Sequence, residues 1–224
     1  VFECNDGYLN DIRALAVDEA HYAEALAAAS ADFAQGSVGA GRGMSAFELK
    51  GGIGSASRLA GGYTVGALVL ANFGKLPMLT LAGRALGREL TATPTGSSTP
   101  GPEKGSIIML LATDAPLDAR QLRRLALRAG AGLARTGSSF GHGSGDIALA
   151  FSTAYTIPQR PTEPMPALAM LHEERLDPLF QAAAEATEQA IVHALWHAEP
   201  VRGRDGNERR TLRQLLTRRD ACAS

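Results

Sequence analysis

The chain has 224 residues, of which 45% are hydrophobic and 20% charged, with a formal net charge of −1 at pH 7. This composition is that of an ordinary globular protein, and its balanced charge favours neither a nucleic-acid partner nor a membrane surface. No apolar stretch reaches the ~18 residues of a spanning helix, and the two cysteines, Cys4 and Cys222, provide neither a disulfide framework nor a metal cluster.

The chain begins abruptly at Val1-Phe2-Glu3-Cys4, without an initiator methionine and without a basic region followed by an apolar one. These residues are typical of the middle of a strand, so we expect the sequence to be truncated at its N-terminus. An export signal would belong to the preceding segment. Cytoplasmic and periplasmic locations are therefore both open.

In the first half of the chain, one helix and several strands are predicted. Large apolar residues recur at helical spacing in an Ala-rich stretch from Asp11 to Phe33 and predict a long helix. The predicted strands are Phe47 to Lys50, Gly52 to Leu59, Tyr63 to Phe73 and Leu76 to Leu81. The third strand is apolar on both faces, which is typical of a strand covered on both sides.

The second half opens with a polar, Pro- and Gly-rich segment of about residues 91–105, which predicts a flexible loop. The elements predicted after it are a strand from Ile107 to Ala112, a helix from Leu117 to Arg135, a strand from Ile147 to Ala154 and a helix from Leu176 to His197. Helices thus flank a block of strands, which predicts an α/β fold, a layered α/β/β/α sandwich.

The junction of Gly105 and Ser106 has the features of a self-cleavage site. Glycine tolerates backbone geometries that other residues resist, and a neighbouring hydroxyl can attack its carbonyl. Cleavage would make Ser106 an N-terminal residue whose α-amine, with a pKa of roughly 7.7 to 8.0, can act as its own general base. Judged from the dipeptide alone, a loop leading into a buried strand is the more common interpretation.

Two further places carry candidate polar chemistry. Ser144 and Asp146 would share one face of an extended segment and form a hydroxyl–carboxylate relay, although Ser, Gly and Asp are also ordinary turn residues. Asn72 ends an apolar strand, where its amide either donates to a developing oxyanion or simply holds a turn.

Several segments together resemble the DmpA-like aminopeptidase family, also called P1-family serine peptidases or β-peptidyl aminopeptidases. They are Gly36 to Phe47, Lys50 to Arg58, Gly105 to Leu117, Gly143 to Asp146, Ala150 to Ala154 and, more loosely, Gly203 to Gly206. The resemblance covers most of the chain and keeps the family's order and spacing. It implies a layered α/β/β/α sandwich of the DmpA/ornithine acetyltransferase type.

The resemblance also implies a function and a set of residue roles. The precursor would cleave itself into an α segment (residues 1–105) and a β segment (residues 106–224) that stay associated as one domain. The product would be an aminopeptidase or amidase that acts through an acyl-enzyme on short peptides, amides or esters, with no cofactor or metal. Ser106 corresponds to the nucleophile, Asn72 to the oxyanion donor and Glu3 to the partner of the substrate amine, while Ser144 and Asp146 assist. Family members form oligomers of processed heterodimers.

One position departs from the family pattern, because Asn5 stands where an aromatic residue is expected; Tyr8 is the nearest substitute. A non-catalytic ligand-binding or assembly protein on the same fold is therefore the main alternative. An acyl transferase similar to ornithine acetyltransferases is disfavoured, because those enzymes have threonine at the cleavage position.

Two other features are interpreted as structural. His193 and His197 have metal-ligand spacing, but neither a third ligand nor an intervening glutamate accompanies them. The Arg-rich tail from Arg202 to Arg219 includes acidic residues and has no aromatic residue for stacking on bases, so a surface or subunit contact is expected there.

Overall fold

A computed structural model describes residues 2–91, 105–160, 162 and 165–223. The strands are β1 (Ser45–Ala46), β2 (Leu49–Lys50), β3 (Gly52–Ala60), β4 (Tyr63–Asn72), β5 (Gly105–Thr113) and β6 (Ser144–Ser152). The α-helices are α1 (Glu19–Ala27), α2 (Leu86–Thr91), α3 (Ala119–Arg135), α4 (Asp177–Trp196) and α5 (Leu212–Ala223).

The main sheet has the strand order β3-β4-β5-β6. Pairing is antiparallel from β3 to β5 and parallel between β5 and β6, which are joined through α3. The short strands β1 and β2 form a separate hairpin whose residues Ser45 and Lys50 pair. This hairpin contacts β4, so it reaches the strand that ends at Asn72.

The hydrophobic core lies between this sheet and the helices α3 and α4. Alternate residues of β4 and β5 point into it, as expected for one buried face of a strand. These core residues of the two strands are Val65, Ala67, Val69, Ala71, Ile107, Met109 and Leu111. Helix α4 packs directly on β3, where a Cβ atom at Gly54 would lie 1.8 Å from the Ala190 carbonyl oxygen.

The opposite face of the sheet is apolar but only partly covered by the described residues. Leu68, Leu110 and Leu149 are neighbours on this face, one each from β4, β5 and β6. Leu68 is 36% exposed and Leu149 is 45% exposed. Phe151 and Leu59 extend the same face and are also exposed. The described residues thus cover the main sheet with helices on one face, and the predicted coverage of β4 on both faces is only half met.

Several local predictions differ from the structure. The helix expected from Asp11 to Phe33 is reduced to α1, none of whose residues is buried. The segment Leu76–Met78 is a 3₁₀-helix rather than a strand, because Pro77 lacks the N–H that a strand ladder needs. Helix α2 was not predicted, and residues 92–104 of the predicted loop lie outside the described residues. None of the described helices could cross a membrane by its length and hydropathy.

Candidate active site

Ser106 lies at the beginning of β5, and its residue surface is 6% exposed. It pairs with Asn72 in β4 and with Gly145 in β6. Among the described residues, the Ser106 Oγ atom has no hydrogen-bond partner that meets ordinary distance and angle limits. The Cys4 thiol is nonetheless close enough for the Ser106 hydroxyl to stabilise its thiolate form. A buried hydroxyl without a well-formed hydrogen bond costs free energy, and catalysis is one of the explanations for such a group in a native structure. Ser106 is therefore the strongest nucleophile candidate on the sheet.

Gly105 brings the backbone before Ser106 into direct contact with β4. A Cβ atom at this position would lie 2.4 Å from the Asn72 carbonyl oxygen and 2.8 Å from Phe73 Cα. Both neighbours are backbone atoms, which cannot rotate away as a flexible side chain can. This close approach therefore requires glycine at position 105.

Asn72 is buried, and its amide group is held at both ends. Its Oδ1 accepts a hydrogen bond from the Ser45 N–H at 2.9 Å, and its Nδ2 donates to the Asn5 carbonyl oxygen at 2.9 Å. An amide nitrogen carries two N–H donors, and the Asn5 contact uses one of them. Directly paired residues share a face of the sheet, so the Asn72 amide and the Ser106 side chain lie on the same side.

Ser144 and Asp146 lie on one extended strand, as predicted, and contact each other. The Ser144 hydroxyl donates a hydrogen bond to Asp146 Oδ1 at 2.6 Å. Because Ser144 pairs with Gly105 and Asp146 with Ile107, alternation places both side chains on the face opposite the Ser106 side chain. The pair therefore flanks the Gly105–Ser106 backbone rather than the Ser106 hydroxyl.

The N-terminal segment reaches the nucleophile through Cys4, which the sequence analysis did not assign to the site. Burial raises the pKa of the Cys4 thiol, while the neighbouring Ser106 hydroxyl opposes this rise. The carboxylates of Asp6 and Asp146 add to it. Glu3, the predicted partner of the substrate amine, is the adjacent residue and is exposed to solvent.

Two other residues singled out in the sequence make contacts that tie parts of the fold together. The ring of Tyr8 lies 3.8 Å from the guanidinium carbon of Arg209, so this side chain packs on the C-terminal segment. His193 Nδ1 lies 2.8 Å from the Ser55 carbonyl oxygen, a contact that ties α4 to β3. Ser45, which orients Asn72, is a site residue that the sequence analysis missed.

Solved structures with a similar fold place the sheet in a known architecture. A Pyrococcus horikoshii protein is 50% identical, with a TM-score of 0.87 over 99% of this chain and 62% of its own. The L-aminopeptidase D-Ala-esterase/amidase from Ochrobactrum anthropi is 38% identical, with a TM-score of 0.81 over 96% of this chain and 61% of its own. That enzyme is described as a variant of the Ntn (N-terminal nucleophile) hydrolase fold. The predicted α/β fold class is thereby confirmed.

Comparison of the sequence with known proteins shows the family to which the chain belongs. Residues 1–209 match peptidase family S58, and the chain belongs to this family. The beta-peptidyl aminopeptidase BapA of Sphingosinicella microcystinivorans is 42% identical over 222 residues, which are 92% of this chain and 56% of BapA. The predicted resemblance is confirmed, and the chain spans little more than half the length of the curated relatives it matches.

Proposed function

We propose that this chain belongs to a self-processing aminopeptidase whose nucleophile is the Ser106 hydroxyl. The observation that carries the proposal is the buried Ser106 Oγ, which makes no hydrogen bond of ordinary geometry with the described residues and lies on the same face as the Asn72 amide. A hydroxyl beside an amide donor has the two elements that acyl transfer needs, a nucleophile and a site for the developing oxyanion.

The first reaction is cleavage of the chain itself. The Ser106 hydroxyl attacks the carbonyl carbon of Gly105, and an ester replaces the Gly105–Ser106 amide as the C–N bond breaks. The hydroxyl proton passes to the released nitrogen, and water then hydrolyses the ester. The products are a carboxylate on Gly105, which ends the α segment, and a free α-amine on Ser106, which begins the β segment.

In turnover, the free α-amine of Ser106 acts as the base for its own hydroxyl. The Nδ2 atom of Asn72 donates to the oxyanion, and water releases the acyl group. Ser144 and Asp146 flank the backbone position at which the new amine forms, which suits them to orient and stabilise that amine.

The substrates proposed are short peptides, amino-acid amides or esters with a free N-terminal amine. Glu3 would pair with that amine, since the next residue, Cys4, already borders Ser106. The names of two relatives, a beta-peptidyl aminopeptidase and an L-aminopeptidase D-Ala-esterase/amidase, support this substrate class. The α and β segments are proposed to remain associated and to assemble into oligomers.

Intact mass spectrometry of the full-length protein, beside its Ser106→Ala variant, tests this proposal. We expect two fragments that meet at Gly105/Ser106 in the parent and one uncleaved chain in the variant. Release of p-nitroaniline from alanyl p-nitroanilide should depend on Ser106 in the same way. A parent that is well folded yet remains one chain would overturn the proposal.

One contact favours the alternative, a non-catalytic binding protein. Asn5 occupies the position where an aromatic residue is expected from the family resemblance. Its carbonyl oxygen accepts a hydrogen bond from Asn72 Nδ2. If this contact withdraws Asn72 from catalysis, the parent will bind amines or peptides without turning them over. Measuring turnover and cleavage together therefore separates the two functions.

A further inference from the structure

Lys50 is a lysine whose residue surface is fully buried, 0% exposed, in the hairpin next to the candidate site. Its Nζ atom donates to three backbone carbonyl oxygens, those of Gly41 at 2.8 Å, Met44 at 3.0 Å and Gly51 at 2.8 Å. Three acceptors match the three N–H donors of an ammonium group. The side chain is therefore fully satisfied, although none of these partners is a carboxylate.

Holding a charge at this position has an electrostatic cost. Burial lowers the pKa of the Lys50 ammonium to about 8, and the Arg42 guanidinium adds to this effect. The carboxylate of Asp6 opposes it. A side chain that only filled space would avoid this cost with an apolar end, so the ammonium needs a reason of its own.

The reason lies in the peptide group that joins Met44 and Ser45. The carbonyl oxygen of this peptide accepts hydrogen bonds from Lys50 Nζ at 3.0 Å and from the Gly51 N–H at 2.9 Å. The N–H of the same peptide donates to Asn72 Oδ1 at 2.9 Å. One rigid, planar unit therefore connects the ammonium of Lys50 to the amide of Asn72.

This connection fixes which end of the Asn72 amide is available for chemistry. A cation on the carbonyl oxygen polarises the peptide and strengthens its N–H as a donor. With Oδ1 held by Ser45, Nδ2 points the other way, where one of its N–H groups donates to the Asn5 carbonyl oxygen and the second is left on the sheet face that Ser106 shares. Were the peptide to rotate, the contact with the Asn5 carbonyl would remain as a restraint on the amide, and a turned amide would present its oxygen to an oxyanion.

We propose that Lys50 is a positioning residue that holds the Asn72 amide, through the Met44–Ser45 peptide, in the orientation that donates to the oxyanion. This inference rests on the proposed function, in which Asn72 is the oxyanion donor. The hydrogen bonds of Lys50 Nζ go to backbone carbonyl oxygens, so its action on the site is indirect. Its contribution is the orientation of a donor that a small rotation would misplace.

The inference is tested by Lys50→Met in the full-length protein. Methionine has a side chain of similar length but no N–H donor. Misplacing a catalytic group can cost about 10²-fold in rate, so we expect kcat to fall about that far with KM nearly unchanged. Lys50→Gln keeps two N–H donors without the charge and should fall between wild type and Lys50→Met. It also supplies the measurement if Lys50→Met does not fold.

A double-mutant cycle with Asn72→Asp separates positioning from general stability. If Lys50 acts through Asn72, adding Lys50→Met to Asn72→Asp should lower kcat less than twofold further. Additive losses in kcat would overturn the inference while leaving the proposed function intact. Leu133→Ala, a core change away from the site, is the control, and should lower thermal stability without lowering kcat.

A readout independent of turnover is the hydrogen exchange of the Ser45 backbone amide. Loss of the Lys50 contact should accelerate this exchange at least tenfold in Lys50→Met, relative to amides of β4 measured in the same sample. Exchange that is unchanged would overturn the inference even in a parent without activity. An inactive parent with accelerated exchange would instead overturn the proposed function and support the Lys50 contact.

Discussion

Asn72 and Ser106 face each other across the antiparallel pair of β4 and β5, although most of the chain between them belongs to neither strand. Asn72 is the last residue of its strand, and Ser106 is the second residue of the other. Strand pairing thus brings an amide donor to a buried hydroxyl at one end of the sheet. The proposed chemistry depends on this arrangement.

Asn72→Asp should keep the contact with the Ser45 N–H, because a carboxylate oxygen still accepts it, and should lose the Nδ2 donor. We expect kcat to fall roughly 10²–10³-fold, as for loss of one oxyanion donor, with a smaller change in KM. Steady-state kinetics on alanyl p-nitroanilide measure this. Asn207→Asp is a matched control, since Asn207 Nδ2 also donates to a backbone carbonyl at 2.9 Å, that of Tyr8. Equal kcat in both variants would contradict a role for Asn72.

Gly105→Ala should impair both folding and cleavage, because its Cβ atom would lie 2.4 Å from the Asn72 carbonyl oxygen. Overpacking of this kind costs about 1–3 kcal/mol of unfolding free energy. Denaturant unfolding and the time course of cleavage by intact mass report the two effects. Gly66→Ala serves as the comparison, since a Cβ atom there meets nothing nearer than the Ala112 carbonyl oxygen at 3.9 Å. Normal cleavage and stability in Gly105→Ala would contradict the prediction and would show that the backbone at Asn72 and Phe73 can shift to accommodate a Cβ atom.

Ser144→Ala and Asp146→Asn should each lower kcat, because they act as one hydrogen-bonded unit. Loss of this pair would disorient the Ser106 amine, which is the proposed general base; general-base assistance is typically worth 10²–10⁴-fold, so losses in kcat up to about that size are expected. The double variant should be little worse than either single variant, as for residues that act together. Ser152→Ala, at the other end of β6, removes a hydrogen bond to the Ala115 carbonyl and should leave kcat unchanged. Independent, additive losses would show that the two side chains act separately.

Glu173→Gln should lower stability at neutral pH and lose this effect in acid. Hydrogen bonds from Arg120 and Gln121, with the charge of Arg124, lower the pKa of the Glu173 carboxyl to about 2. The stabilisation is complete above the ordinary pKa near 4.5 and disappears as pH falls towards 2. Urea midpoints of wild type and variant should therefore converge over this window, and added salt should narrow their difference. Glu174→Gln, on an 89% exposed side chain, is the control. A difference that stays constant with pH would contradict the prediction.

The sequence predicted the elements that form the core, because their apolar residues follow a simple period. Strands β5 and β6 and helices α3 and α4 lie close to their predicted positions. The same criterion was wrong between Asp11 and Phe33, where Leu15 and Tyr22 are 83% and 72% exposed. Periodicity shows that a segment could present one apolar face, but it does not show whether a surface exists to cover that face.

The candidate site was only partly predictable, for a related reason. Ser106, Asn72, Ser144 and Asp146 stand in motifs that a family resemblance identifies. The proposed role of Lys50 depends on a bond from its ammonium to a backbone carbonyl, and Ser45 contacts Asn72 through its backbone N–H, which joins β1 to β4 across 27 positions. Every residue has a backbone carbonyl, and every residue except proline has a backbone N–H. The sequence therefore carries no local signal for the contact of Lys50 with the Met44 carbonyl or of the Ser45 N–H with Asn72. The side-chain faces of Ser144 and Ser106 likewise depend on the register of β5 with β6.

The position of Gly105 and Ser106 inside β5 has a consequence for how the protein would fold after processing. A cut there leaves residues 107–113 paired with β4 on one side and β6 on the other. Folding of the uncut chain is a first-order process, whereas refolding of the cut protein requires two separate chains to meet. Its melting temperature would therefore rise more steeply with protein concentration than that of a Ser106→Ala precursor. Because the protein is synthesised as one chain, β5 can pair with β4 and β6 in a fast intramolecular step. The Gly105–Ser106 peptide bond would be cut only after this pairing is complete.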